Sequence, residues 1–285
     1  MLPKHAAKLF VTFGLVALAL PACDTAKSRA TPPIAVQPNN VMSLNACTDQ
    51  LLISLGDENQ IASLTHYAKD EITSPISEIA ALYPSNHMLP EEIIASSPDL
   101  ILTGPYDRDA TSKVIAALDI EVARFDVASS IADAKHLVTK AGAVLRQIDK
   151  AAQLNLEIDA ATAPINAAPI TALIYYENGY SAGRDTLIDE VMNRAGLINM
   201  APYYGVGKWG HVDLEQIIAN PPQIMILPQN IGTDIANPLR HGVFSSPNLR
   251  MQIAYLPNNL GYCGGAVIIE LAQHLKQIRA NYASK

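Results

Sequence analysis

Short apolar runs and amphipathic stretches follow one another along this chain, and they predict strands and helices in alternation. Val41-Met42-Ser43-Leu44 reads as a first strand. Thr48 or Asp49 is placed to cap the next helix, with Leu51, Leu52 and Leu55 inward and Gly56 at its end. Ile61 to Thr65 predicts a second strand, and residues 66–86 a long polar loop. A helix near residue 91 leads to the strand Leu100 to Thr103, and a helix over 111–118 leads to the strand Glu121 to Phe125. Such alternation predicts a parallel sheet covered on both faces.

Residues 130–146 read as one helix and Ile148 to about Ala163 as another, stopped by Pro164. The second contains no Pro or Gly and lies between two halves of similar pattern, so it is expected to be a rigid connector. The pattern then restarts. Thr171 to Tyr176 predicts a strand, Ser181 to Asp185 a turn, and Thr186 to Ala195 a helix closed by Gly196. A helix around Glu215, the strands Ile224 to Leu227 and Ile253 to Leu256, and a terminal helix from Ala266 to Tyr282 complete the chain.

One segment occurs twice, 124 positions apart. Glu91-Glu92-Ile93-Ile94-Ala95-Ser96-Ser97-Pro98-Asp99-Leu100-Ile101-Leu102 is answered by Glu215-Gln216-Ile217-Ile218-Ala219-Asn220-Pro221-Pro222-Gln223-Ile224-Met225-Ile226, with five of twelve positions identical. Each copy reads as a short helix running into a buried strand. The expected fold class is therefore α/β: two similar lobes with mainly parallel sheets, joined by one long connecting helix, with a ligand cleft between them. The expected boundaries are 41–146 for the first lobe, 147–166 for the connector and 167–285 for the second lobe.

The N-terminus predicts export. Lys4 and Lys8 precede an uncharged apolar run from Leu9 to Leu20, too short for a comfortable membrane span. Leu20-Pro21-Ala22-Cys23 resembles a lipobox with Cys23 as the lipidated residue, although Pro21 departs from the usual pattern; plain cleavage near the same point is the alternative. Residues 1–22 are then a signal peptide, and 23–40, rich in Pro, Ala, Thr, Ser and Asn, a flexible tether. Both lysines leave with the signal, so 18 basic side chains stand against 27 acidic ones in the remainder. That balance, with no basic stretch, argues against nucleic acid as a partner. Cys47 and Cys263 are an even pair in an oxidising compartment, which suggests a disulfide; two separate thiols are the alternative. No Cys-x-x-Cys, HExxH or Walker signature is present, and no resident metal or cofactor is expected.

Three segments together carry a family resemblance: Ser43-Leu44-Asn45-Ala46-Cys47-Thr48-Asp49-Gln50-Leu51, the doubled Glu-x-Ile-Ile-Ala-x-x-Pro, and Tyr180-Ser181-Ala182-Gly183-Arg184-Asp185-Thr186-Leu187. Over about residues 40–280 the chain resembles the substrate-binding proteins of ABC importers for iron-siderophores and cobalamin. The resemblance implies two lobes joined by a long helix, limited hinge motion and a periplasmic, usually monomeric receptor. It implies capture of a bulky chelate (a corrinoid or a ferric siderophore) and delivery to a membrane permease served by an ATPase. It also implies that one glutamate on each lobe docks on permease arginines, and these map onto Glu91 and Glu215. Two such carboxylates would orient a two-fold basic partner; the plain alternative is a pair of first-turn glutamates favoured by the helix dipole.

Ligands of such lobes meet the loops at the carboxyl ends of the strands. Asn45, Tyr67, Tyr106, Tyr180 and Tyr262 fall there, with Tyr176 and the sole tryptophan, Trp209, and flat aromatic walls suit a macrocycle or a catecholate shell. His87 and His211 lie four residues before Glu91 and Glu215 and are expected to face each other across the cleft. With His66 and His241 they leave a bare-metal site for zinc or manganese as a weaker reading. Arg184, Lys208 and Arg240 are the basic candidates for an anionic ligand. Haem is a further binding alternative. An enzyme is disfavoured, because Ser43, Ser181 and Thr186 lack a Gly-x-Ser-x-Gly elbow and no nucleophile-base-acid set stands out.

Overall fold

The computed structural model of the chain describes residues 37–105, 109–229 and 251–283. The expected signal segment, Cys23, most of the tether, Tyr106, Arg240 and His241 lie outside the described residues. In the first half, β1 (Val41–Ser43) leads through α1 (Ala46–Leu55), β2 (Ile61–Thr65), α2 (Ser77–Ala80), β3 (Ser85–Asn86), α3 (Pro90–Ser96), β4 (Leu100–Thr103) and α4 (Asp109–Ala117) to β5 (Glu121–Arg124) and α5 (Ile131–Leu145). The strands pair in parallel in the order β3-β2-β1-β4-β5.

Asn45, not Thr48 or Asp49, caps α1. Its side chain accepts the Cys47 N–H at 2.9 Å. Thr48 and Asp49 lie inside the first turn and point into the protein, where the Thr48 hydroxyl meets that of Ser43 at 2.8 Å. Residues 66–86 are more ordered than their polarity suggests. They hold a 3-10 turn at His66–Lys69, the helix α2 and the strand β3. Asn86 anchors this edge strand by donating to the Ser43 carbonyl and the Ser63 hydroxyl, both at 2.9 Å.

α6 (Ile148–Ala161) follows α5 after a break at Arg146, whose φ is 60°. The two helices pack closely because Gly142 has no side chain: a Cβ there would lie 2.3 Å from that of Ala151. The second half runs β6 (Ile170–Ile174), β7 (Tyr180–Ala182), α7 (Leu187–Arg194), β8 (Leu197–Asn199), β9 (Trp209–His211), α8 (Leu214–Ala219), β10 (Ile224–Gln229), β11 (Gln252–Pro257) and α9 (Val267–Ala283). Its sheet is also parallel, in the order β11-β10-β6-β8. β7 and β9 form a separate antiparallel pair, so the expected turn at Ser181–Asp185 begins as a strand. β8 and β9, three residues each, have no periodicity that the sequence could reveal.

Side chains alternate between two layers along every central strand. Val41, Leu100, Leu102, Ile170, Ala172, Ile174, Ile224 and Ile226 enter one continuous core with α1, α5, α6, α7 and α9. The intervening Met42 and Ile101 pack under α3, around Ile93, while Leu173 and Met225 pack under α8, around Ile217. Each copy of the repeat thus buries the same isoleucine against the outer face of its own sheet. All the described residues belong to one compact unit. A disulfide joins Cys47, in the first turn of α1, to Cys263, just before α9, with the Cα atoms 5.2 Å apart.

Replacing both cysteines (Cys47→Ser with Cys263→Ser) should lower the unfolding free energy by about 2–4 kcal/mol, seen as an earlier urea midpoint. An unmoved midpoint would leave the shared core as the whole restraint between the halves. The second prediction concerns Asp49, which is buried and accepts the Thr65 N–H at 3.0 Å and the Thr65 hydroxyl. Burial pushes its carboxyl from 3.8 up to about 6, against the opposing effect of the Thr65 and Ser43 hydrogen bonds. Its folded value lies above the unfolded one, so its contribution is fully present below about pH 4 and is lost as pH rises through about 6. Asp49→Asn should therefore flatten the pH dependence of unfolding across that window, by up to about 3 kcal/mol. An unchanged slope in urea melts would assign that dependence to other groups.

Candidate ligand cleft

The candidate site grows from the carboxyl ends of the second sheet. Tyr176 follows β6, and the turn Asn258–Leu260 follows β11. Beside them lies the β7–β9 ribbon. The ribbon is held from below: the Ser181 hydroxyl donates to the Ile174 carbonyl at 2.7 Å, and the Asn199 amide donates to the Ala182 carbonyl at 2.9 Å. Gly183 lets the next turn close, since a Cβ there would sit 2.0 Å from the Gly207 carbonyl oxygen. Alternation along the ribbon buries Ser181 and leaves Tyr180 and Trp209 exposed. Their rings stack, with centroids 5.6 Å apart and planes 9° from parallel. His211 meets the edge of Tyr180 at 5.3 Å and bonds the Asn178 carbonyl through Nδ1 at 3.1 Å.

Tyr180 and Trp209 wall a cavity of about 260 Å³ together with Tyr176, Tyr262, Glu177 and Asn258. Burial raises the Tyr176 phenol far above its ordinary range. Burial, and then the charge of Glu177, raises that of Tyr262, whose hydroxyl donates to Asn258 at 3.2 Å. Both are therefore neutral phenols at physiological pH. They offer flat apolar faces and hydrogen bonds, not phenolate charge. Glu177, Pro228 and Asn258 were not expected in the wall. Glu177 and Asn258 lie in three-residue turns, and Pro228 lies one residue beyond the expected end of its strand.

A second group lies on the first half, beyond β2 and β3. His66 and Tyr67 have ring centroids 3.9 Å apart, and His66 stacks on His87 at 4.8 Å. His66 Nδ1 is buried with no hydrogen-bond partner among the described residues. His87 Nδ1 lies 3.2 Å from Glu92. His87 and His211 thus belong to different groups, each with its own neighbours. Asn45 has its carbonyl oxygen engaged in the α1 cap, and Arg184 is exposed beyond the ribbon. Lys208 donates to the Ser129 hydroxyl at 2.9 Å, bridging the two halves. A larger cavity of about 570 Å³, bounded by Lys69, Glu71, Glu78 and Asn259, has no aromatic wall. Among the described residues no group of three or more His, Cys, Asp or Glu side chains is arranged to hold a metal ion.

The repeated helices differ in what their two leading acidic positions do. Glu92 accepts the N–H groups of His87 and Leu89 at 2.8 and 3.0 Å and so caps the start of α3 from its third position, the half of a capping box that the N-cap Leu89 allows. Burial would raise its carboxyl, but these bonds outweigh it and the net shift is downward. Gln216 takes the same position on α8 and accepts the Asp213 N–H at 3.3 Å. Glu91 and Glu215, one position earlier, are exposed and have no hydrogen-bond or ion-pair partner among the described residues.

A model of the periplasmic binding protein family matches residues 41–242. The chain belongs to the periplasmic binding protein family. One relative, the cobalamin-binding protein of Halobacterium salinarum, is 22% identical over 218 residues, covering 74% of this chain and 59% of that protein. The chain thus spans about three fifths of the length of that curated relative. Among solved structures, the periplasmic haem-binding protein of Vibrio cholerae aligns with a TM-score of 0.68 at 16% identity, over 84% of this chain and 98% of that one. The periplasmic vitamin B12 binding protein of the same organism aligns with a TM-score of 0.64 at 13% identity, over 87% and 99%. At such identities the likeness shows the fold alone. As in other periplasmic binding proteins, two α/β regions with parallel sheets make up the body, and among the described residues no helix is long and apolar enough to cross a membrane.

The capping assignment has a direct check. Glu92→Gln should be tolerated, because the other periplasmic binding protein repeat already carries glutamine there. Glu92→Ala should cost about 1 kcal/mol in urea unfolding. Equal losses for both variants would show that the charge and its His87 contact matter more than the cap.

Proposed function

We propose that this protein is the substrate-binding component of an ABC importer, capturing a corrinoid and delivering it to a membrane permease. The observation that carries this reading is the wall formed by stacked Tyr180 and Trp209 with the neutral phenols of Tyr176 and Tyr262. A flat macrocycle finds apolar faces and hydrogen-bonding hydroxyls there. The described lining includes a carboxylate, Glu177, and no cation, which suits a near-neutral corrinoid better than an anionic ferric siderophore. At about 260 Å³ the cavity is smaller than the ~300–1,000 Å³ common for small-molecule sites. A macrocycle would seat one edge in it and cover the exposed aromatics with the rest.

In this reading Glu91 and Glu215 dock on permease cations, while Cys23 anchors a periplasmic monomer to a membrane through the 23–40 tether. The protein binds and releases; it catalyses nothing and holds no resident cofactor. Haem stands second, favoured by the exposed Tyr67 beside the stacked His66 and His87 rings, which would approach an iron from the first half. The test uses Trp209, the only tryptophan in the chain. Its fluorescence is followed while cyanocobalamin, cobinamide, haem and ferric siderophores are titrated in. A corrinoid should quench it with sub-micromolar affinity. Binding of haem or a siderophore in its place would overturn the corrinoid assignment, and no binding by any would retire the chelate reading.

A further inference from the structure

The two copies of the repeat share five identical residues, and the fold explains only two of them. Ile93 and Ile217 fill the outer cores, and Pro98 and Pro222 are buried at the entry to β4 and β10. The other three identities, Glu91/Glu215, Ile94/Ile218 and Ala95/Ala219, are all exposed. They fall at i, i+3 and i+4 of α3 and of α8, so each set forms one stripe on its helix. Ile94 is 55% exposed and Ile218 45%. Among the described residues no other exposed large apolar side chain recurs unchanged at this offset. Local propensity does not account for them either, because β-branched residues are indifferent helix formers.

We infer that these stripes are two matching halves of one docking surface, in which Ile94 and Ile218 are apolar anchors set beside the acidic Glu91 and Glu215. The partner this fits presents one pocket twice, apolar at its floor and cationic at its rim, as two copies of one subunit would. A second copy of this chain does not fit: it would set unpaired glutamates against like charge, in a chain of net charge −7. The exposed Ala95 and Ala219 leave room for a pocket rim to approach each helix closely. This inference rests on the importer reading above and assigns the permease contact to apolar anchors as well as to carboxylates.

The test places a photo-crosslinking phenylalanine analogue, one position at a time, at 94, 218, 91 and 215 of the full chain in its host cell. Leu82, 80% exposed and outside the stripes, is the control position. Positions 94 and 218 should both crosslink to the same segment of one polytopic permease polypeptide, and position 82 should not. The double variant Ile94→Ser with Ile218→Ser should stimulate the importer's ATPase at least tenfold less well, with the Trp209 titration and melting temperature unchanged. Crosslinks from 91 and 215 but not from 94 and 218 would overturn the apolar anchors and leave the docking glutamates standing. Crosslinks to a second copy of this chain, or to two unrelated proteins, would overturn the two-fold partner. No crosslink from any of the four would remove both this inference and the docking role on which it rests.

Discussion

The Cys47–Cys263 bond connects the segment that follows β1 to the segment that follows β11, across 216 residues of sequence. It acts at the edge where both sheets end in their loops, where candidate ligand contacts gather. Beneath it, one apolar core runs from Val41 and Leu100 through α5, α6 and α9 to Ile170 and Ile224. Together they make the two halves a single body. Tyr262 is the residue next to the bridge, so one wall of the aromatic cavity is fixed covalently to the first half of the chain. Any rearrangement that widens the cleft must strain this link or leave that wall behind.

The strand Leu100 to Thr103, buried along its whole length, has the same bounds in the structure as in the sequence, because an apolar run of this kind leaves little choice. Ile61 to Thr65, partly buried at its start and interrupted by Ser63, also keeps its expected bounds. The α1 cap was misplaced by three or four residues. Asn45, Thr48 and Asp49 are all good caps, and only the path of the chain decides which of them points outward. β3 and the β7–β9 ribbon were invisible for another reason: at two or three residues each, they exist through pairing with distant partners. The aromatic residues at strand ends could be nominated from position alone. That Tyr180, Trp209 and Tyr262 share a cavity while Tyr67 stands with two histidines depends on these short elements.

The repeat illustrates how one sequence pattern can carry two kinds of constraint. Its buried positions follow from packing: an isoleucine beneath each short helix and a proline before each central strand. Glu92 and Gln216 follow from helix capping, which requires an acceptor and is indifferent to its charge. Glu91 and Glu215 have neither excuse, and neither do the exposed isoleucines beside them. Removing the explained positions from the pattern leaves the surface positions on which the proposed docking surface rests.

The long span of the disulfide also bears on how the molecule is made. Cys47 is made when most of the chain has still to follow, and its partner comes only just before the last helix. Until then Cys47 has no partner to close on. Closure of the bond then marks a chain that has arrived whole, so a truncated copy would carry a reactive Cys47 where a finished one carries none.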